Sequence, residues 1–304
     1  MCCATAEPVT ERFAPSPTGP LHLGHAFSAL TGFDAARAAG GRFLLRIEDI
    51  DRARARPEWE AGISEDLAWL GLRWETPVLR QSDRLPAYRD ALLGLWRRGL
   101  LYSCSCTRRD IEAAASAPQE GAEPVHGPDG LVYPGTCRGR WPGPDTQDSP
   151  PEDMALRLSM PEALAALGER AERLGFRELG AGPGGETGEI RVPPRALRDT
   201  CGDIVLARRG LGTSYHLSVV LDDAAQGVTH VTRGEDLFGA TQIHVLLQAL
   251  LGLPVPRYRH HRLIRDAAGR RLAKRDDARA IRLYREEGLS PADIRRMTGL
   301  PAAP

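Results

Sequence analysis

The chain has 304 residues, and its 40 Lys and Arg residues are balanced by 40 Asp and Glu residues, so the formal net charge at pH 7 is zero. Hydrophobic residues make up 42% of the sequence, with no run of about 18 apolar residues, so composition excludes a membrane protein and indicates a soluble one. The N-terminus lacks a charged-then-apolar signal pattern, and we expect a cytoplasmic location.

The charges are unevenly distributed. From Leu251 to Pro304 there are 13 Lys or Arg residues and six Asp or Glu residues. Such an excess is typical of a surface that contacts a phosphate backbone, although an Arg-rich solvated helical surface has the same composition. Lys274 is the only lysine among the 40 basic residues, which indicates that this position needs a compact ammonium rather than a planar guanidinium.

The first predicted elements are a strand, a tight loop and a helix. The strand runs from Val9 to Ala14, and two prolines with Gly19 then predict a turn. The apolar spacing is helical from Leu23 to Ala39, where Gly40 and Gly41 provide a C-terminal stop. Because a helix N-terminus has unpaired N–H groups and a partial positive charge, it favours a phosphate or a carboxylate.

Strands and helices then alternate, which favours a doubly wound α/β fold with a parallel sheet. The sequence predicts strands at Arg42–Glu48, Leu100–Cys104, Met154–Met160 and Val228–Arg233, and helices at Pro57–Leu70, Pro86–Trp96, Pro161–Leu174 and Leu237–Leu251. We expect a short helix after Thr107, order at Asp203–Arg208, loops at Gly175–Gly188 and Asp266–Lys274, and a last helix from Ser290.

Residues 116–151 are dense in Pro, Gly, Asp and Glu, and they predict an insertion with a partly disordered tip. We therefore expect four parts: the first half of an α/β domain (1–103), an insertion (104–200), the second half of that domain (201–258) and a helical C-terminal piece (259–304).

Two stretches carry a family resemblance. RFAPSPTGPLHLGH runs from Arg12 to His25, and GGRFLLRIEDIDRAR runs from Gly40 to Arg54. Together they resemble the glutamyl-tRNA synthetase family of class I aminoacyl-tRNA synthetases, and the resemblance covers roughly residues 10 to 280. It implies a Rossmann-like catalytic domain split by the insertion, with the acceptor-binding region within residues 104–200. It also implies a ligase in which L-glutamate attacks the α-phosphorus of ATP, so that glutamyl-adenylate forms and pyrophosphate leaves.

The resemblance also implies the ATP site. His22, Gly24 and His25 form the HxGH motif, in which the histidines contact phosphates. Arg271, Leu272 and Lys274 match the family's KMSKS loop, in which Lys274 stabilises the charge that grows on the β and γ phosphates; Ala273 replaces the usual serine. We expect Mg²⁺ to accompany the ATP.

For glutamate, arginines suit the two carboxylates, because a guanidinium binds a carboxylate bidentately. Arg12 and Arg233 are the candidates, Glu48 is expected to bind the ammonium, and Tyr215 matches a tyrosine of the family's pocket. Phe13, Ala14, Pro15 and Ser16 complete the predicted glutamate site. Surface ion pairs for the arginines and core packing for Tyr215 are the alternatives. His216, His230, His244, His260 and His261 match no motif and are expected to be ordinary core or surface residues.

Cys104, Cys106 and Cys137 are candidate ligands of a structural Zn²⁺. The residues alone suggest His126 as the fourth ligand, because imidazole is the commoner zinc ligand. C-x-C followed by Y-x-x-x-C resembles instead the zinc site of the glutamyl-queuosine tRNA(Asp) synthetases, which implies Tyr133. Reduced buried thiols without a metal are the alternative.

Glutamyl-tRNA synthetases continue with a large helical anticodon-binding domain, and we expect none in a chain of this length. The same resemblance, together with that expectation, implies that glutamate passes to the queuosine base of tRNA(Asp). We expect the enzyme to be a monomer. Two alternatives remain open. One is a compact glutamyl-tRNA synthetase that charges a tRNA 3′ end. The other is a non-catalytic tRNA-binding paralogue, which the Ala273 substitution weakly favours.

Overall fold

The computed structural model describes residues 8–115, 125–146, 149–265 and 279–302. The strands are β1 Thr10–Phe13, β2 Arg42–Ile47, β3 Glu75–Arg80, β4 Leu101–Cys104, β5 His126–Gly127, β6 Gly130–Leu131, β7 Ala155–Leu158, β8 Gly175–Glu178, β9 Gly188–Arg191, β10 Val205–Ala207, β11 His230–Gly234 and β12 Arg257–His261. The helices are α1 Leu23–Ala38, α2 Pro57–Trp69, α3 Leu85–Arg97, α4 Arg108–Ala115, α5 Met160–Leu167, α6 Pro194–Ala196, α7 Tyr215–Ala225, α8 Ala240–Leu251, α9 Ile281–Glu286 and α10 Pro291–Thr298.

Parallel strands form the centre of the fold. β1 pairs with β2 and β2 with β3, while β11 pairs with β12 and β12 with β8; all four pairs are parallel, and β9 is antiparallel on β8. The two groups meet at β1 and β11, where the N–H of Thr229 donates to the carbonyl of Thr10 at 3.0 Å. The strand order runs from β1 to β3 on one side and from β11 through β12 to β8 on the other, so it reverses between β1 and β11. Ligands bind at such a switch point.

Residues of β2 alternate between two hydrophobic clusters, as expected for a strand covered on both faces. Leu45 and Ile47 pack in a cluster with α1, α2 and the C-terminal helices, whereas Leu44 packs in a larger cluster with α5, α7 and α8. Arg46 shares the face of Leu44 and is fully buried. A charge at that depth needs partners, and the site described below contains them.

The insertion follows β4. β7 lies between β4 and β10 in an antiparallel sheet, and the β5–β6 hairpin lies outside it. Tyr102 and Arg157 are direct neighbours across β4 and β7, and Val205 of β10 is the partner of Arg157 on the other side. This sheet fixes the end of β4, where Cys104 lies.

The C-terminal segment packs against the start of α1. The N–H of Ile281 donates to the carbonyl of Leu21 at 2.8 Å, and Ala280 forms a bridge with His22. Arg295 of α10 binds both carboxylate oxygens of Asp34 at 2.8 Å. Residues 279–302 are thus held against the helix that carries the HxGH motif.

The predicted elements agree with the structure except in a few places. The prediction of a loop at Gly175–Gly188 is wrong, because its first four residues form β8 and Phe176 is buried in the core. The Pro161–Leu174 helix is α-helical only to Leu167, where Gly168 adopts a positive φ of 54° and a 3₁₀ segment follows.

β3 and β12 are strands that the sequence did not predict. β12 also spans the predicted boundary between residues 258 and 259, so the parallel sheet continues into the predicted helical piece. The predicted loop at Asp266–Lys274 and the tip of the insertion at residues 116–124 lie outside the described residues. Among the described helices, none combines the length and the apolar character that crossing a membrane requires.

Candidate active site

A cavity of about 560 Å³ opens at the switch point between β1 and β11. That volume lies within the range of about 300–1,000 Å³ that is usual for ligand sites. Its walls contain every residue predicted to bind ATP or glutamate that the structure describes. These residues are Arg12, Phe13, Ala14, Pro15, Ser16, His22, Gly24, His25, Glu48, Tyr215 and Arg233. Arg271, Leu272 and Lys274 lie outside the described residues.

His22 and His25 cap the N-terminus of α1. Nδ1 of His22 accepts the N–H of Gly24 at 3.1 Å, and Nδ1 of His25 accepts the N–H of His22 at 3.2 Å. In the neutral imidazoles the ring proton must then lie on Nε2, which makes Nε2 the donor toward an anion. A Cβ at residue 24 would lie 3.0 Å from Cε1 of His22, so glycine gives the imidazole room to make this cap.

Two arginines and two carboxylates form a buried ion network beside the cavity. Nε of Arg12 donates to Oδ1 of Asp223 at 3.1 Å, and Nη1 of Arg46 donates to the same oxygen at 2.6 Å. Nη2 of Arg46 contacts Oε1 of Glu48 at 3.2 Å. Within the described residues, the two Nη groups of Arg12 have no hydrogen-bond partner, so they remain for a ligand.

The carboxyls of this network differ in their electrostatics. Burial opposes the ionisation of Asp223, but the charges of Arg12 and Arg46 outweigh it and lower the pKa. Burial raises the pKa of Glu48, even though Arg46 and Arg12 act in the opposite direction. Glu48 is therefore a carboxylate that an additional positive charge, such as a ligand ammonium, would stabilise.

Arg233 lies at the carboxyl end of β11 and is 4% exposed. Its guanidinium donates to Nε2 of His260 at 3.1 Å and to Nδ1 of His244 at 3.1 Å. Nη2 donates to Oγ1 of Thr241 at 2.6 Å and to the carbonyl of Leu237 at 3.2 Å. Unlike Arg12, Arg233 makes no ion pair with any carboxylate in the described part of the chain.

The cysteines of the insertion form a compact cluster. The Sγ atoms of Cys104, Cys106 and Cys137 all lie within 4.8 Å of one another. Oη of Tyr133 is 3.5 Å from Sγ of Cys104 and 3.4 Å from Sγ of Cys106. His126, the alternative fourth ligand, is exposed on β5 and is not part of this cluster.

The donor set fits a tetrahedral zinc ion. With Zn–S of about 2.3 Å and Zn–O of about 2.0 Å, the edges of the tetrahedron are about 3.8 Å between sulfurs and about 3.5 Å between sulfur and oxygen. The Cys106–Cys137 distance of 3.4 Å and the two Tyr133 distances are close to these values. Three thiols and a phenol thus enclose a volume of the correct size and chemistry.

Arg157 of β7 completes the surroundings of the cysteine cluster. Its Nε donates to Sγ of Cys104 at 3.3 Å, and its guanidinium carbon lies 3.7 Å from the centre of the Tyr133 ring. Nη1 donates to the carbonyl of Asp203 at 2.9 Å, which holds the side chain in place. A buried cation in this position offsets the negative charge of thiolates.

The sequence reasoning missed several residues that shape the site: Arg46, Asp223, His244, His260 and Arg157. The sequence offered one signal for Asp223, because Asp222 and Asp223 directly follow an apolar helical run. If the end of that helix is buried, its carboxylates need charged or hydrogen-bonding partners. His216, His244 and His260 are buried and hydrogen-bonded, as expected for core residues, yet His244 and His260 contact a predicted ligand-binding arginine. His261 is half-buried and lines the cavity, and its buried Nε2 has no hydrogen-bond partner among the described residues. No local pattern distinguishes them, because their partners come from other strands and helices.

A parallel sheet with HxGH at the first helix and a polar cavity at the switch point defines the catalytic domain of a class I aminoacyl-tRNA synthetase. The family model for tRNA synthetases class I (E and Q), catalytic domain, matches residues 8–163 and 187–301. A glutamyl-Q tRNA(Asp) synthetase from Rhodobacter capsulatus is 67% identical over 95% of this chain and 99% of its own length. The chain therefore belongs to the class I Glu and Gln synthetase family and, within it, to the glutamyl-Q tRNA(Asp) synthetases, which confirms the resemblance.

Less similar proteins also match this chain over most of its length. A glutamyl-Q tRNA(Asp) synthetase from Symbiobacterium thermophilum is 42% identical over 93% of this chain and 83% of its own length. The crystal structure of a glutamate tRNA ligase from Elizabethkingia meningosepticum, in complex with its amino acid, superposes with a TM-score of 0.70 at 27% identity. That match covers 96% of this chain but only 60% of the ligase.

Proposed function

We propose that this ligase activates L-glutamate with ATP and transfers the glutamyl group to the queuosine base of tRNA(Asp). The observation that carries the proposal is the cavity at the switch point. Arg12, Arg233 and Glu48 line this cavity, together with His22 and His25 at the start of α1. The chain matches 99% of the length of a glutamyl-Q tRNA(Asp) synthetase, which supports that acceptor over a tRNA 3′ end.

Glutamate has two carboxylates and one ammonium, and the cavity offers a group for each. The free Nη groups of Arg12 bind one carboxylate bidentately, and Arg233 binds the other. Glu48 accepts the ammonium, which offsets the cost of its burial. Tyr215, on the first turn of α7, lines the same cavity and packs against the substrate.

In the activation step, an oxygen of the glutamate α-carboxylate attacks the α-phosphorus of ATP and pyrophosphate leaves. In the transfer step, a hydroxyl oxygen of the queuosine base attacks the carbonyl carbon of the adenylate. The bond between that carbon and the phosphate oxygen breaks, AMP leaves, and the hydroxyl proton is released. Positioning and charge neutralisation supply the catalysis, without a covalent enzyme intermediate. His22 and His25 donate from Nε2 to the phosphates.

Lys274 supplies the cation that stabilises the departing pyrophosphate. Arg271 and Leu272, which belong to the same motif, also bind ATP. Described residues on both sides of segment 266–278 support this assignment. Ile264 lines the cavity, and Ala280 forms an antiparallel β-bridge with His22. Mg²⁺ bound with ATP would neutralise further phosphate charge.

Cys104, Cys106, Cys137 and Tyr133 would hold a structural Zn²⁺. The metal would tie the end of β4 to the loop after β6, because the ligands come from both segments. Well under one zinc per chain in the purified protein would count against this site.

The basic residues after Leu251 are proposed to face tRNA, and the enzyme is proposed to act as a cytoplasmic monomer. Binding to tRNA should then weaken steeply as the salt concentration rises, because counterions are released when phosphates are neutralised. Salt-independent binding would contradict the tRNA surface, and a dimer in size-exclusion chromatography would contradict the monomer.

The test of function is transfer of labelled glutamate, with ATP, to bulk tRNA from normal cells and from cells unable to make queuosine. We expect label only with queuosine-containing tRNA. Equal label on both would indicate a compact synthetase that charges the 3′ end, and no label on either would favour a non-catalytic paralogue.

A further inference from the structure

Arg233 is a buried cation surrounded by neutral acceptors. Its four hydrogen bonds go to His244, His260, Thr241 and the carbonyl of Leu237. Four of its five N–H donors are thereby engaged, and among the described residues only the second hydrogen of Nη1 has no acceptor. Burying an arginine without a directly bonded counterion is costly, and an anion from a ligand would offset that cost.

The two histidines are held by chains of hydrogen bonds that end on carboxylates. Nδ1 of His260 contacts Oε2 of Glu178 at 2.5 Å. Nε2 of His244 contacts Nδ1 of His216 at 3.2 Å, and Nε2 of His216 contacts Oδ1 of Asp129 at 3.3 Å. Asp129 lies in the turn of the β5–β6 hairpin, so one chain begins in the insertion.

The direction of every bond in these chains follows from Arg233, because a guanidinium can only donate. Nε2 of His260 must accept from Arg233, so its proton lies on Nδ1 and points to Glu178. Nδ1 of His244 must accept, so its Nε2–H donates to His216. His216 in turn donates from Nε2 to Asp129, and each proton points away from Arg233.

Burial favours the neutral form of both histidines that touch the arginine. Burial, followed by the charge of Arg233, holds the pKa of His244 well below its usual value. Burial also lowers the pKa of His260, and the charge of Arg233 lowers it further, although the hydrogen bond to Glu178 acts in the opposite direction. Glu178 and Asp129 therefore orient the imidazoles from a distance without neutralising the guanidinium.

We propose that His244 and His260 are positioning residues that orient Arg233 and keep its charge unneutralised for a carboxylate of the substrate. The inference rests on the proposed function and deepens it. The two carboxylates of glutamate then bind to two arginines, Arg12 and Arg233, that differ in the donors they leave free. Arg12, whose Nε is paired with Asp223, offers both Nη groups, whereas Arg233 offers one N–H and an unbalanced charge.

The test compares isosteric variants at His244. His244→Asn places an amide oxygen where Nδ1 accepts from Arg233, and His244→Asp places a carboxylate oxygen there. The two variants have the same size and differ in charge and in the amide donor that Asp lacks. The assay is glutamate-dependent exchange of labelled pyrophosphate into ATP, with and without tRNA. We expect the Asn variant to keep a KM for glutamate within about threefold of wild type.

In the Asp variant, the new carboxylate competes with glutamate for Arg233. Its KM for glutamate should rise by about tenfold or more, equivalent to about 1.4 kcal/mol, with the KM for ATP unchanged. At the second histidine, His260→Gln keeps an acceptor at the position of Nε2 and should resemble wild type, whereas His260→Leu should raise the KM for glutamate. Melting temperatures identify any variant that fails to fold. If a variant at one histidine does not fold, the pair of variants at the other histidine tests the proposal.

Equal KM values for glutamate in the Asn and Asp variants, or in the Gln and Leu variants, would overturn the inference and leave the proposed function intact. A wild-type enzyme without glutamate-dependent exchange would overturn the function and the inference with it. If the histidines had only a structural role, the variants would lose stability, and their KM values for glutamate and for ATP would not change differently.

Discussion

Replacement of Asp223 by Asn tests the buried ion network most directly. The substitution keeps an acceptor oxygen in place but removes the charge that Arg12 and Arg46 share. The side chains of Arg12, Arg46 and Asp223 are 5%, 0% and 7% exposed, so water cannot replace the lost carboxylate. Glu48 would then be the carboxylate that still bonds to Arg46, and Arg12 would lose its ion pair.

The expected loss follows from that burial. Breaking a buried pair by removing one partner typically costs about 3–5 kcal/mol. The free energy of unfolding of a typical protein is about 5–15 kcal/mol, so the loss is a large fraction of the total. The exposed pair Arg42–Glu75 is the matched control, because its side chains are 53% and 46% exposed. Glu75→Gln should cost less than about 1 kcal/mol.

The assay is urea unfolding of wild type and both variants at pH 7, with the KM for glutamate as a second measurement. Asp223→Asn should also raise that KM, because Arg12 loses the partner that orients it. A loss of stability no larger than that of Glu75→Gln would show that the network is hydrated or rearranges, and it would refute the reasoning from burial.

Three further predictions concern other parts of the molecule. Burial raises the pKa of Asp66 from 3.8 to about 6. The folded state therefore loses stability as the pH rises through that range, and Asp66→Asn should melt higher than wild type at pH 7 but not at pH 4. Arg157→Met should weaken zinc retention by about tenfold or more in chelator competition, with Arg157→Lys in between. Gly127→Ala places a Cβ 1.6 Å from the carbonyl oxygen of Thr200 and should cost about 1–3 kcal/mol in urea unfolding. Gly62→Ala, on an open face of α2, should instead be stabilising or neutral.

Each of these has a result that would contradict it. A pH-independent difference in melting temperature for Asp66→Asn would mean that the carboxyl is solvated in the folded protein. Unchanged zinc release in Arg157→Met would remove the arginine from the metal site. If Gly127→Ala is as stable as wild type, the hairpin does not pack against Thr200 as closely as the structure shows.

The sequence predicted much of the site because its motifs are local. The HxGH residues lie within four positions, and the same segment contains the strand end, the turn and the helix start that place them. Arg12 and Glu48 follow the same logic, since each lies at or just after the carboxyl end of a predicted strand. Their convergence required only that those strands be parallel neighbours, as β1 and β2 are.

The failures have a common cause. β8 begins a glycine-rich stretch, and its strand character comes from pairing with β9 and β12. β12 itself is rich in Arg and His, and it is a strand because it completes the parallel sheet next to β11. Long-range pairing decided the structure of both segments against their local composition.

The sequence by itself determined the class of fold, the helix start that favours phosphate, and the identities of the arginines, the carboxylate and the thiols that carry the chemistry. Only the tertiary structure decided which of those groups keep a free charge. Arg12 and Arg233 are the same residue type at equivalent strand ends, but one is paired with Asp223 and the other is held by His244 and His260. Those partners come from helices and strands distant in sequence, and the charge state of a buried group depends on its neighbours in space.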